Sequence, residues 1–393
     1  MQRRSLGVKA VSRHRIPAVF IRGGTSKGVF FHGRDLPDPG PVRDSVFLNV
    51  IGSPDPYQRQ LNGMGGGISS LSKAVIIESS AREDADIDFT FAQVAVDRPE
   101  VVYTNTCGNL SSAVGPFAVD ERLVEPVDGE ARVRVYNTNT SKIYHACFNV
   151  EDGQAVETGS FEIPGVAGTG AKIKLDFLDP GGAVTGNLLP SGATVDELTV
   201  PGLGVIEASF VDATNAIIFI DANAVGRDAT EQPDALEADK EFMAKLDEIR
   251  RLGGVQMGMA DRPEDVGLGS PKIALVAAPE KFKTLTGETI HPAQHDIMVR
   301  VVSMGRIHRA VTLTTSMCLA TACQIEGSIP HRVAQHCMAT SQGDKNGTRI
   351  GNPSGVLPVQ ADVGRLKDGT WHAEHVTVYR TQRRLMEGWV YPV

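Results

Sequence analysis

Apolar positions along this chain follow two periods. Leu110, Ala113, Val114, Phe117 and Ala118 recur at the i, i+3, i+4, i+7 spacing of one helical face. Val42–Ile51, Leu110–Val119, Asp234–Leu252 and a stretch around Val311–Ala322 are the predicted helices. Elsewhere the pattern is one of short apolar runs closed off by Gly, Pro, Asn and Ser, which predict strands. Those runs are Val19–Arg22, Val29–His32, Ala74–Ile77, Phe89–Val96, Val133–Tyr136, Ile143–Val150, Ile173–Phe177, Ile217–Ile220, Ile273–Val276 and Val376–Tyr379.

The pattern is written twice. The Gly23–Gly28 turn at Thr25 answers to Thr214, Lys73 to Lys272, Cys107 to Cys318 and Asn137 to Asn352, with offsets of 189, 199, 211 and 215 residues. Steadily growing offsets are what a duplicated unit with small insertions produces. Many strands and one central helix per half predict an α+β protein of two similar domains, each a mostly antiparallel sheet curled about its helix. The turn-rich segment Gly181–Asp196 sets the boundary, giving domains 1–187 and 188–393, with the last strand free to return to the first domain. A ligand is expected in the cleft between them.

Composition narrows the function classes. The chain has 393 residues, 41% hydrophobic and 22% charged, as globular proteins do, and a length that suits two domains. A net charge of −8 and few aromatics argue against nucleic acid. No apolar run approaches a membrane span. The five cysteines (107, 147, 318, 323, 337) are scattered without a C-x-x-C, which suits a reducing, cytoplasmic setting and no metal. The basic start, Met1 to Arg15, reads as a frayed cytosolic tail or as a transit peptide.

Several stretches could carry chemistry. Asn105-Thr106-Cys107-Gly108-Asn109 sets a thiol where a helix begins, among backbone N–H groups that favour thiolate and attract carboxylates. A small buried cysteine in a tight turn is the plainer reading. The run from Gly63 to Lys73 lacks Walker spacing, but its glycines could form a nest for a carboxylate, or only a surface loop. Lys73 leads into an apolar strand, where desolvation would lower its pKa towards a value useful for proton transfer; snorkelling to solvent is the alternative. Arg22-Gly23-Gly24-Thr25-Ser26-Lys27-Gly28 concentrates donors for an anion, or is a plain hairpin turn with solvated charges. Met304-Gly305-Arg306-Ile307-His308-Arg309 and Gly351-Asn352-Pro353-Ser354-Gly355 add a basic turn and backbone donors. With no metal set, nucleotide motif or Ser-His-Asp set, the combination suits cofactor-free proton transfer at a carbon next to a carboxylate.

Phe20-Ile21-Arg22-Gly23-Gly24-Thr25-Ser26-Lys27-Gly28-Val29-Phe30-Phe31 resembles the opening signature of the PrpF family, the 2-methylaconitate cis–trans isomerases. The likeness continues through Ile51-Gly52-Ser53-Pro54-Asp55-Pro56-Tyr57, Gly63-Met64-Gly65-Gly66, Ser72-Lys73, Cys107-Gly108-Asn109-Leu110, Ser303-Met304-Gly305 and Pro353-Ser354-Gly355 to Arg384-Leu385-Met386-Glu387-Gly388. It implies a diaminopimelate-epimerase-like fold with the site between the halves. It also implies cofactor-independent conversion of trans- to cis-2-methylaconitate in the 2-methylcitrate cycle of propionate breakdown. The implied partners are a small tricarboxylate substrate and, through the pathway, an iron–sulfur 2-methylcitrate dehydratase; a homodimer stays open. Relatives acting on 4-oxalomesaconate, itaconate derivatives or aconitate supply the rival substrates, and a non-catalytic helper of the dehydratase is a rival of another class.

The resemblance implies that Lys73 and Cys107 face the substrate. Lys73, as free amine, would take a proton from the methylene carbon, leaving a dienolate that rotates, and Cys107 would return a proton or only shape the pocket. The candidate binding set is Arg22, Gly24, Thr25, Ser26, Lys27, Met64, Gly65, Gly66, Ser69, Gly108, Asn109, Met304, His308, Ser354 and Gly355. Epimerases of this fold oppose two cysteines, but here Cys318 lacks a following Gly and falls inside a helix. Two symmetric thiols are therefore not expected.

Overall fold

A computed structural model describes residues 15–104, 106–338 and 347–392. Asn105 and the basic start at 1–14 lie outside the described residues. In the first half, β1 (Ile16–Gly23) and β2 (Ser26–His32) form an antiparallel hairpin. β3 (Lys73–Ser79) runs parallel to β2, β4 (Ile87–Val94) antiparallel to β3, and β5 (Gly129–Asn137) parallel to β4. β6 (Lys142–Glu151) and β7 (Ile173–Leu178) follow in antiparallel steps.

The second half repeats this order. β8 (Asp196–Val200) is an added edge strand, and β9 (Gly204–Asp212) and β10 (Ala216–Asp221) are antiparallel. β11 (Lys272–Ala277) is parallel to β10, β12 (Ile297–Ser303) antiparallel to β11, and β13 (Gly347–Asn352) parallel to β12. β14 (Gly355–Arg365) and β15 (Trp371–Arg380) complete it in antiparallel steps. β15 also pairs with β7, and β16 (Gln382–Val390) turns back to pair with β1, so the halves share one sheet.

Each parallel pair needs a crossover, and there the helices lie. α1 (Pro41–Ile51) joins β2 to β3, and α2 (Ser111–Asp120) lies between β4 and β5. α3 (Pro233–Ala238) and α4 (Lys240–Gln256) join β10 to β11, and α5 (Leu313–Gln324) and α6 (Ile329–Met338) lie between β12 and β13. The continuous helix expected from Asp234 to Leu252 is split, because the Asp239 side chain accepts the Phe242 N–H at 3.0 Å and starts a new helix. α6 carries too mixed a pattern to have been expected.

α2 and α5 are sheathed by the sheet and almost wholly buried, and their faces join one apolar core running through both halves. α1 and α4 cover the outer faces over separate cores. The α+β expectation of two similar halves, each curled about a central helix, is what the chain forms. Among the described residues no helix is long and apolar enough to cross a membrane.

Candidate active site

Lys73 opens β3, directly across the antiparallel ladder from Gln93 of β4. Residues opposite one another share a sheet face, so the two side chains meet. The Lys73 Nζ donates to Gln93 Oε1 at 2.6 Å and lies 4.8 Å from the Phe91 ring centroid. Gln93 is itself oriented, its Nε2 donating to the Ser69 and Ser72 carbonyls at 3.0 and 2.9 Å. Burial pushes the Lys73 pKa down, against an opposing effect of the neighbouring Cys107 thiol. Among the described residues its hydrogen-bond partner is a neutral amide and not a carboxylate.

Cys107 stands in the turn before α2, its carbonyl accepting the Ser111 N–H at 3.1 Å. Its Sγ lies 3.8 Å from the buried Ser26 Oγ. The β1–β2 turn is seated on this segment. Asn109 Oδ1 accepts from the Thr25 N–H at 3.4 Å and from Arg380 Nε at 3.1 Å. Gly24 sits at φ +50, and a Cβ there would stand 2.2 Å from Asn109 Oδ1, so both conformation and space demand glycine. Arg380 is buried, and burial alone lowers its pKa to about 10.

The second half contributes through the same positions. Lys272 opens β11, and the register that pairs Ile273 with Val302 sets Ser303 beside it as Gln93 is set beside Lys73. The β9–β10 turn holds the start of α5, Thr214 Oγ1 donating to the Thr314 carbonyl at 3.0 Å. Thr312 caps that helix by accepting the Thr315 N–H. Together the halves line one cleft with Ser26, Ser69, Ser70, Lys73, Phe91, Gln93, Thr106, Cys107, Gly108 and Asn109 from the first. Gly269, Lys272, Ser303, Met304, His308, Thr312, Leu313 and Thr314 come from the second. Burial, then the charge of Lys73, lowers the Lys272 pKa to about 8. Burial brings His308 to about 4, so its ring is neutral at neutral pH. Two lysines face a cleft with no Asp or Glu among the described residues lining it, on a chain of net charge −8.

Residues 13–393 match the family model described as PrpF protein. The chain belongs to the PrpF family. It is 38% identical to a 2-methyl-aconitate isomerase of Cupriavidus necator, over 97% of this chain and 98% of that one. It is 42% identical to a 3-methylitaconate isomerase of Eubacterium barkeri, over 96% and 97%. The crystal structure of a methylitaconate-delta-isomerase superposes with a TM-score of 0.81 at 40% identity, covering 97% of this chain and 96% of that one. The chain is thus an isomerase of the PrpF family.

Of the residues expected from sequence, this PrpF protein brings Lys73, Cys107, Ser26, Ser69, Gly108, Asn109, Met304 and His308 to the cleft. Thr25 stands one residue away, lining a smaller cavity with Arg380 and Asn352. Arg22 instead braces the turn, donating to the Gly24 and Thr381 carbonyls at 3.0 Å each. Lys27 lies 5.4 Å from the Phe20 ring centroid, outside the cleft lining. The expected glycine nest spends its donors inside the fold. The N–H groups of Met64 and Gly65 bond the Val50 and Ile51 carbonyls at 2.8 and 3.0 Å, satisfying the C-terminus of α1. Gly66 stands beside this pair, pressed against Leu71. Ser354 donates to the Arg309 carbonyl at 2.8 Å, and Gly355 starts β14; neither lines the cleft.

Lys272, Gln93 and Thr314 were not in the expected set. The signal for Lys272 was its pairing with Lys73 in the repeat; Gln93 had none, since only strand register brings it to Lys73. Cys318 is buried in α5, donating to the Val211 carbonyl at 3.3 Å, and burial pushes its thiol pKa well up. The Cys337 side chain lies outside the described residues. Asp362, Glu374 and His375 come together on β14 and β15, remote in sequence and outside the cleft lining.

Proposed function

We propose that this chain isomerises an unsaturated polycarboxylate by cofactor-independent proton transfer at an allylic carbon, with conversion of trans- to cis-2-methylaconitate as its leading reaction. The observation that carries this is a cleft that bears a lysine from each half and, among the described residues, no Asp or Glu. Such a cleft attracts a multiply charged anion and stabilises negative charge that develops on it.

Lys73, as free amine held by Gln93, takes a proton from the carbon next to the double bond. The electron pair left behind spreads through the conjugated system into a carboxylate, and the former double bond becomes single and rotates. The Lys73 ammonium returns the proton to the same carbon, giving the other geometric isomer. Return at the far end of the system would instead shift the double bond, as for a 3-methylitaconate substrate. Cys107 and Ser26 close one wall. The reading places the enzyme in the cytoplasm, in the 2-methylcitrate cycle of propionate catabolism, on the acid made by an iron–sulfur 2-methylcitrate dehydratase.

The test is a panel of 2-methylaconitate, 3-methylitaconate, 4-oxalomesaconate and aconitate, followed by ultraviolet absorbance and by deuterium uptake from heavy water. Turnover is expected to be fastest on 2-methylaconitate and to fall about 10²–10⁴-fold in Lys73→Met. Near-normal turnover in that variant would reject the assigned base; failure of every acid would reject the function.

A further inference from the structure

Lys73 and Lys272 are the same residue of the repeated unit. Each opens the strand that runs parallel to the second strand of its half, and each faces the shared cleft. Their surroundings differ. Lys73 is fastened to Gln93, lies against Phe91 and sits beside Cys107. Lys272 has no hydrogen-bond or carboxylate partner among the described residues, although it is partly buried. A desolvated ammonium without a partner is unfavourable, and a carboxylate from the ligand would relieve it. Strand register sets Ser303 beside it, and the residues its half contributes to the cleft include no Asp or Glu among the described residues.

We propose that Lys272 anchors a substrate carboxylate from the face opposite Lys73, and that this contact makes the enzyme select acids carrying a third carboxylate. This rests on the proton-transfer reading above. The duplicated fold thus places one lysine for chemistry and its counterpart for charge recognition. The titratable groups acting on Lys272 are Lys73, whose charge lowers its pKa, the Cys107 and Cys318 thiols, which raise it, and His308, whose ring is neutral at neutral pH.

The anchor is tested by calorimetry with two saturated probes, propane-1,2,3-tricarboxylate and glutarate, which has the same chain without the central carboxylate. Wild type is expected to bind the tricarboxylate at least about tenfold more tightly. Lys272→Gln should remove that preference and raise the substrate KM about 30-fold or more, with kcat changed far less. Lys272→Arg should keep the preference and hold it above pH 8, where wild type loses it as Lys272 deprotonates. An unchanged preference in Lys272→Gln overturns the proposal, and so does a preference that Lys272→Arg fails to retain while its melting temperature matches wild type. The two readings fail separately. Loss of the preference in Lys272→Gln with no turnover of any acid by wild type would keep the anchor and reject the reaction. Normal KM in Lys272→Gln beside a dead Lys73→Met would do the reverse.

Discussion

Gln93 holds Lys73 across one rung of the β3–β4 ladder, Oε1 to Nζ at 2.6 Å. A neutral amide aims the amine without supplying charge to keep it protonated. Gln93→Glu would put a carboxylate there and raise the Lys73 pKa. Turnover at neutral pH is expected to fall about tenfold or more, and the optimum of kcat/KM to move to higher pH. A pH–rate profile unmoved by this substitution would contradict the role given to Lys73.

In the proposed mechanism Cys107 forms a wall of the pocket and Lys73 is the base. Cys107→Ser keeps a small polar side chain near Ser26, so turnover is expected to stay within about tenfold of wild type. Lys73→Met in the same assay should lose far more. A Cys107→Ser loss as large as that of Lys73→Met would make the thiol an obligatory proton carrier.

Gly24 is required by both its positive φ and the approach of Asn109. Gly24→Ala is expected to cost about 1–3 kcal/mol, read as a lowered denaturation midpoint. Because Asn109 lines the cleft, KM should rise as well. Wild-type stability in this variant would show that the turn relaxes freely.

Glu121 joins β2 to the returning strand β16, accepting from His32 at 3.1 Å and from Arg384. The His32 hydrogen bond, ahead of Arg384, pulls its pKa from 4.5 down to about 2. A depressed carboxyl contributes stability above its unfolded pKa and loses it as pH falls through the folded one. Melting temperature should therefore fall from about pH 4.5 towards pH 2, and Glu121→Gln should be less stable at pH 7 with a shallower acid decline. Parallel curves for the two proteins would exclude this contribution.

The residues that read most clearly were those whose neighbours in sequence are also neighbours in space. Cys107, Gly108 and Asn109 precede an apolar helical face, and the whole segment reaches the cleft as one turn. Lys73 stood out because it adjoins the run Ala74–Ile77, which the fold buries on both faces. Arg22 and Lys27 share a turn with Ser26, yet alternate side-chain directions and local carbonyls send them elsewhere. The Gly63–Gly67 run carried a ligand-nest composition, but the Met64 and Gly65 amides met the open carbonyls of α1, which lie more than ten residues earlier, and the Gly63 and Gly67 amides met the carbonyl and side chain of Gln60.

Sequence alone determined the duplication and the α+β class and singled out Lys73 and Cys107 as candidates, because periodicity and turn composition are local properties of the chain. Tertiary structure decided the rest. Strand register set Gln93 on Lys73, closure of the halves brought Lys272 into the same cleft, and β15 and β16 tied both halves into one sheet. Those are pairings between residues tens to hundreds of positions apart, and desolvation, which separates a reactive lysine from a solvated one, exists only once they have formed.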